Sequence, residues 1–218
     1  MRSKLNRFKE NEERSNVIQA GKPLFETIKG KWQDFFGNEH PIVFELGCGR
    51  GEYTIGLARK FPGINYVGVD VKGARIWKGS SMAEEEKLDN VAFLRIRILE
   101  IEKYVQENEL SEIWITFPDP RPKERDIKRR LTSERFMNIY KKLLRPNGKV
   151  HFKTDNDPLF DFTLDLLEQR KDVEELEYSR DYHASRYCEE LPDIVTKYEA
   201  QFMKQGMKIK YLRFIFSA

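Results

Sequence analysis

From residue 41 onward the chain alternates between short apolar runs and longer segments whose apolar residues recur every three or four positions. The runs PIVFEL (41–46), INYVGVD (64–70), VAFLRIRI (91–98), EIWITF (112–117) and KVHFKT (149–154) are rich in β-branched and aromatic residues and predict strands. EYTIGLARKF (52–61), KGARIWKGSSMAEEEKL (72–88), TSERFMNIYKKLLRPNG (132–148) and PLFDFTLDLLEQR (158–170) carry helical spacing. In the third of these, Phe136, Ile139, Tyr140, Leu143 and Leu144 form the stripe, Thr132 or Ser133 offers a cap, and Pro146-Asn147-Gly148 marks the stop. Residues 173–180 and 208–216 predict two closing strands. Strands alternating with helices predict an α/β fold, a parallel sheet wrapped on both faces, with ligands gathered outside the carboxyl ends of the strands. Residues 1–40 are polar and basic-leaning, with an amphipathic piece at 23–37. They predict an N-terminal arm and lead-in helix, mobile over the first dozen residues, ahead of one domain spanning 41–218.

Composition narrows this picture only slightly. The 218 residues suffice for one substantial core, and 34% charged residues fit a soluble chain. A net charge of +3 does not by itself imply a polyanionic partner, so the placement of the charges decides. No apolar stretch approaches a membrane span and the N-terminus lacks an apolar signal core, so the expectation is a cytoplasmic protein. The two cysteines, Cys48 and Cys188, form no CxxC pair, and the three histidines have no metal-ligand spacing. Neither a disulfide framework nor a metal site is expected.

Candidate chemistry begins at FELGCGRGEYT (44–54), which sets Gly47, Gly49 and Gly51 between a predicted strand and a predicted helix. Glycines there allow a tight turn and close approach of a ligand. A dinucleotide fingerprint would need glycine at 52, where this chain has Glu52. That carboxylate at a helix start would repel a pyrophosphate, and Glu45 adds a second acid just before the loop. The pair favours a cationic or zwitterionic ligand. S-adenosyl-L-methionine, with a sulfonium, an ammonium and no phosphate, fits. Asp70, nineteen residues past Gly51 at the end of the next strand, stands where a carboxylate accepts both ribose hydroxyls.

FPDPRPKERDIKRR (117–130) ends the fourth strand. Pro118 and Pro120 fix the backbone on both sides of Asp119 and make a stiff arm for one acid, which suits an in-line group transfer. Arg121, Lys123, Arg125, Lys128, Arg129 and Arg130 follow, against Glu124 and Asp126. Beside a cofactor pocket such a run points to phosphates.

ELGCGRG, FPDPRPKERDIKRRL, KTDN (153–156) and TKYEAQF (196–202), in this order, resemble the bacterial tRNA (guanine-N7-)-methyltransferases from about residue 4 to the C-terminus. The resemblance implies a Rossmann-like class I methyltransferase fold: a mostly parallel seven-stranded sheet with helices on both faces and an antiparallel last strand. It also implies methyl transfer from S-adenosyl-L-methionine to N7 of a guanine in the variable loop of tRNA; a monomer and a homodimer both stay open. Residue by residue, it makes Glu45, Gly47, Asp70, Arg97 and Asp119 cofactor-binding and Asp119 also catalytic. Lys123, Asp155, Thr196, Lys197, Tyr198 and Glu199 become substrate-binding, and Arg125, Lys128, Arg129 and Arg130 RNA-contacting. Three departures stand out. Arg121 replaces the family's usual Trp, Glu124 and Asp126 replace Lys and His, and Arg97-Ile98 replaces an Asp-Ala or Asn-Ala pair near the adenine.

Two rival readings remain. One keeps the cofactor and moves the methyl to another position of a nucleic-acid base, such as an exocyclic amine. The other is a non-catalytic RNA-binding protein on a degenerate version of the fold, with Arg97 as its best support. Removal of residues 1–20 is expected to weaken RNA binding more than cofactor binding.

Overall fold

The structure is a computed structural model that describes residues 3–191 and 194–217. Its eight strands are β1 (Val17–Ile18), β2 (Ile42–Leu46), β3 (Asn65–Val69), β4 (Val91–Leu94), β5 (Leu110–Thr116), β6 (Leu144–Thr154), β7 (Val173–Ser179) and β8 (Lys210–Phe216). The helices are α1 (Lys4–Glu13), α2 (Trp32–Phe36), α3 (Glu52–Lys60), α4 (Gly73–Glu85), α5 (Glu134–Leu143), α6 (Asp157–Gln169), α7 (Tyr187–Glu190) and α8 (Lys197–Lys204), with short 3-10 turns between them. One sheet runs in the order β1-β4-β3-β2-β5-β6-β8-β7. β1 through β6 pair in parallel, and β8 is antiparallel to both β6 and β7. The antiparallel last strand is as expected; the sheet has eight strands, not seven, because Val17 and Ile18 pair with Phe93 and Leu94.

β2, β3 and β4 are buried at every position, as parallel strands covered on both faces must be. Alternation along them divides the core. Phe44, Leu46, Val67 and Val69 join Trp32, Phe136, Tyr140, Phe160 and Leu164 on the face of α2, α5 and α6. Val43 and Tyr66 join Tyr53, Ile55, Leu57 and Ile76 on the face of α3 and α4. Glu45 shares the parity of Val43, so its side chain turns toward α3. The chain order reverses at β2, and the crevice at that switch point lies between β2 and β5.

Three local expectations differ from the structure. The 132–148 helix stops at Leu143, and β6 begins at Leu144, five residues earlier than the predicted strand. Neither hydroxyl caps α5: Ser133 Oγ donates to the Lys128 carbonyl and Thr132 Oγ1 accepts from Thr163. The strand predicted over 91–98 ends at Leu94, and Arg97 sits at the start of a 3-10 turn.

From Ser3 onward the N-terminal segment is held rather than loose. Ser3 caps α1, Asn11 Nδ2 donates to the Gly73 carbonyl at 2.9 Å, and the guanidinium of Arg95 lies 4.7 Å from the Phe8 ring centroid. Asn11, Val17 and Ile18 are essentially fully buried. The segment 3–18 therefore braces the turn that follows Asp70.

Candidate active site

Four strand ends meet at the crevice. The loop after β2 carries Gly47, Gly49 and Gly51, all at positive φ (84°, 57° and 73°), which favours glycine over any side chain. At Gly51 a Cβ would also meet the Phe93 ring at 2.7 Å, so backbone angle and packing both require glycine there. Gly51 caps α3, and Asp70, Asp119 and Asp155 follow β3, β5 and β6.

Two cavities share Gly47, Arg75, Phe117, Pro118 and Asp119. The inner one, about 340 Å³, is lined by Glu45, Glu52, Asp119 and Asp155 together with Tyr53, Thr116, Thr196, Tyr198 and Phe202; Arg50 and Arg75 are its cations. The outer one, about 900 Å³, has an apolar wall that includes Val71, Ile96, Ile98, Leu99 and Phe136, with Asp70 at one edge. Lys72, Arg75, Arg97, Arg121, Arg125, Lys128, Arg129 and Arg135 also line it, so eight cations face two acids.

Glu45 and Asp70 are fixed before any ligand arrives. Glu45, 3% exposed, accepts from Thr54 N at 2.9 Å, from Thr54 Oγ1, and from Thr116 Oγ1 at 2.6 Å. Thr54 N is one of the orphan donors at the start of α3, so a strand carboxylate caps a neighbouring helix. Burial pushes the Glu45 carboxyl up to about 7, against the pull of these hydrogen bonds. Asp70 receives one backbone N–H on each oxygen, Gly49 at 3.1 Å and Lys72 at 2.7 Å. A carboxylate oxygen has two acceptor sites, so each keeps one for a vicinal diol. Burial raises the Asp155 carboxyl as well, and Lys210 lies beside it, donating to its backbone carbonyl at 3.0 Å.

Asp119 is held differently. Its backbone arm is flanked by Phe117 and Arg121, both at positive φ (48° and 47°), and such strain at non-glycine positions persists only where surrounding structure enforces it. Its carboxylate accepts from Arg121 N at 3.2 Å and pairs with Arg121 Nε at 3.2 Å, yet its side chain is 65% exposed. The residue replacing the family's Trp thus contacts the acid directly.

Other expected site residues divide. Arg97 is exposed on the outer wall, with its carbonyl used by Glu100 N. Arg125, Lys128 and Arg129 also face the outer cavity, while Lys123 is exposed but lines neither. Arg130 is turned inward: it donates to the Arg121 carbonyl at 3.3 and 3.2 Å and stacks over the Phe162 ring at 4.4 Å, which holds the strand-end loop rather than offering charge to solvent. Thr196 caps α8 by accepting from Glu199 N at 3.1 Å, and Tyr198 reaches the inner cavity. Glu199 does not line it. Fully buried, its carboxylate accepts from Lys153 Nζ at 2.8 Å and contacts His183 Nε2 at 3.1 Å, anchoring the first turn of α8 from beneath. The side chain of Lys197 is exposed, and its backbone N donates to Glu52 Oε2 at 2.6 Å.

Sequence reasoning missed Thr54 and Thr116, which hold Glu45. The signal for Thr54 was available: an acid ending a strand, a glycine turn, then a hydroxyl residue in the third helical position. Nothing local marks Thr116.

These features fit S-adenosyl-L-methionine. The apolar slot beside Asp70 suits an adenosine whose ribose bonds the spare acceptor sites of that acid. The acids around the glycine loop suit a cationic amino-acid end, and Glu45 occupies the Thr54 N–H at the start of α3, a backbone donor that a pyrophosphate would need.

A family model described as "Putative methyltransferase" matches residues 39–212. A tRNA (guanine-N(7)-)-methyltransferase of Cytophaga hutchinsonii is 48% identical over 216 residues, 99% of this chain and 98% of that protein. One of Bacteroides thetaiotaomicron is 46% identical over 188 residues, 86% of this chain and 73% of that protein. Among solved structures, the 16S rRNA methyltransferase KamB superposes with a TM-score of 0.62 at 14% identity, covering 93% of this chain and 99% of its own, a likeness of fold. The chain belongs to the tRNA (guanine-N7-)-methyltransferase family.

Proposed function

We propose that this protein transfers a methyl group from S-adenosyl-L-methionine to N7 of a guanine in the variable loop of tRNA. The observation that carries the reading is the position of Asp119, the acid shared by the acidic inner cavity and the outer one, whose apolar wall suits the donor's adenosine and whose cations suit RNA phosphates. When bound, the donor supplies an electrophilic methyl on a sulfonium. Guanine N7 already has a lone pair, so the chain needs no general base.

Asp119, on its proline-flanked arm, stabilises the positive charge that develops on the methylated ring and accepts from guanine N–H groups. Arg121 has to loosen its hold on that carboxylate as the base enters. Asp155 and Tyr198, also on the inner cavity, orient the base. Thr196 and Glu199 act one step back by fixing the start of α8. Lys123, Arg125, Lys128 and Arg129 take phosphates of the RNA. If N7 is shielded in folded tRNA, those contacts offset the few kcal/mol needed to unstack the base.

Among the described residues no helix is long and apolar enough to cross a membrane. The proposed workplace is the cytoplasm, where the RNA substrate is. The test is to incubate purified protein with bulk tRNA and methyl-labelled donor, digest the RNA and identify the labelled nucleoside and its position. N7-methylguanosine in the variable loop is expected. Label on an exocyclic nitrogen, or outside tRNA, overturns the reading.

A further inference from the structure

We infer that Glu52 is a positioning residue that ties the cofactor loop to the substrate segment, so that filling one site tightens the other. The inference rests on the functional reading above, which assigns the glycine loop to the donor and Tyr198, on the segment that Thr196 caps, to the RNA base.

Glu52 is the first residue of α3, immediately after Gly51 in the glycine loop. Its Oε2 accepts from the backbone N of Lys197 at 2.6 Å, across 145 residues of sequence. Lys197 opens α8, where the first backbone donors have no partner inside the helix. Thr196 serves the N–H of Glu199; the N–H of Lys197 is served from outside the segment, by α3. A carboxylate on a helix N-terminus is a charge-assisted bond in the favourable field of the helix dipole.

A second contact repeats the link one turn further along. Residues four apart lie on one helix face, and Gly56 stands four after Glu52. A Cβ at Gly56 would meet Ile194 side-chain atoms at 2.7, 3.0 and 3.1 Å. The face of α3 defined by Glu52 and Gly56 is therefore a fitted seat for residues 194–197, which lead directly to Tyr198. The helix that starts at the donor's loop thus carries the base-binding segment on its flank. A ligand that stills the loop stills the first turn of α3 and, through Glu52, the start of α8. Linkage requires the reverse effect to be equal.

The bland alternative gives Glu52 a purely electrostatic role toward the donor's cationic end. Glu52→Gln separates the two, because its amide oxygen still accepts from Lys197 N but carries no charge. The experiment measures binding of S-adenosylhomocysteine by calorimetry, KM and kcat for tRNA, and tRNA affinity with and without S-adenosylhomocysteine. It uses the wild type, Glu52→Ala, Glu52→Gln and Gly56→Ala. In the wild type the cofactor product is expected to tighten tRNA binding about fivefold or more. In Glu52→Ala the KM for tRNA is expected to rise about fivefold to tenfold, with the coupling factor falling toward one. Glu52→Gln restores most of both quantities.

Gly56→Ala, which favours the helix but unseats Ile194, moves KM and coupling in the same direction, and it decides the matter if Glu52→Ala does not fold. Unchanged KM and coupling in Glu52→Ala, or Glu52→Gln as impaired as Glu52→Ala, overturns the inference. A wild type that makes no N7-methylguanosine refutes the functional reading instead.

Discussion

The two halves of the crevice are built on different terms. On the donor side three acids are fixed before use: Glu45 by Thr54 and Thr116, Asp70 by Gly49 N and Lys72 N, Glu52 by Lys197 N. On the RNA side the cations are exposed and loosely committed; Arg129, for one, makes a pair with Asp126 at 3.0 Å. A small ligand of fixed shape rewards donors and acceptors set in advance. A long polyanion rewards many weak, adaptable contacts, each dominated by charge and screened by salt.

The comparison predicts where substitutions hurt. Asp70→Ala strikes the prearranged half hardest. It removes two charged acceptors from the ribose and releases the Gly49 turn, so cofactor affinity measured by calorimetry is expected to fall about 100-fold. Retained affinity would show that the donor side is not organised around this acid. Deletion of residues 3–20 comes next. Because α1 and β1 brace the turn after Asp70, it should lower thermal stability and weaken cofactor binding about tenfold. This reverses the expectation that the arm serves mainly RNA. A deletion that spares cofactor binding and weakens only tRNA binding would restore that earlier view.

Glu45 gives a pH signature. Its folded carboxyl lies near 7, above the ordinary 4.5, so its contribution to stability is complete below about pH 4.5 and is lost as pH rises through 7. The loss is on the order of 3 kcal/mol. Thermal melts of ligand-free protein from pH 5 to 8 should show a decline that Glu45→Gln flattens. Over the same range S-adenosyl-L-methionine should bind more tightly as pH rises, because its ammonium favours the ionised acid. A pH-independent affinity would place Glu45 outside the donor's reach.

The smallest effects belong to the RNA side. Arg125→Ala, Lys128→Ala and Arg129→Ala should each lower the salt slope of tRNA binding by roughly one while leaving cofactor binding unchanged. Arg130→Ala should lower stability instead, since that guanidinium is spent on the Arg121 carbonyl and Phe162. A salt slope that drops equally for Arg130→Ala would break the distinction between the half-buried cation and its exposed neighbours.

What was legible in the sequence follows the same division. Glycine spacing, an acid at the next strand end and a proline-flanked acid are local signals, and the structure brings Glu45, Gly47, Asp70 and Asp119 to one crevice. The links that pass between distant segments left no such trace. Val17–Ile18 is too short to read as a strand, and its pairing with β4 depends on tertiary burial. Arg130 is indistinguishable in sequence from Arg129, and its bonds to the Arg121 carbonyl and packing against Phe162 separate them. Glu199 was expected at the substrate, but Lys153, a buried cation in β6, draws its carboxylate inward. Glu52, read as an acid facing the ligand, lines the inner cavity and also caps a helix 145 residues away, a link no local pattern marks.

The account turns on Asp119 acting on the rate of transfer rather than on assembly of the complex. The direct measurement is single-turnover methyl transfer to tRNA by wild type, Asp119→Asn and Asp119→Ala, with donor and tRNA both saturating. The rate constant is expected to fall about 100-fold or more in Asp119→Ala and substantially in Asp119→Asn, with cofactor affinity little changed. Rates within about threefold of wild type in both variants would contradict the account, because a loss that small, under 1 kcal/mol, is no more than a missing surface contact.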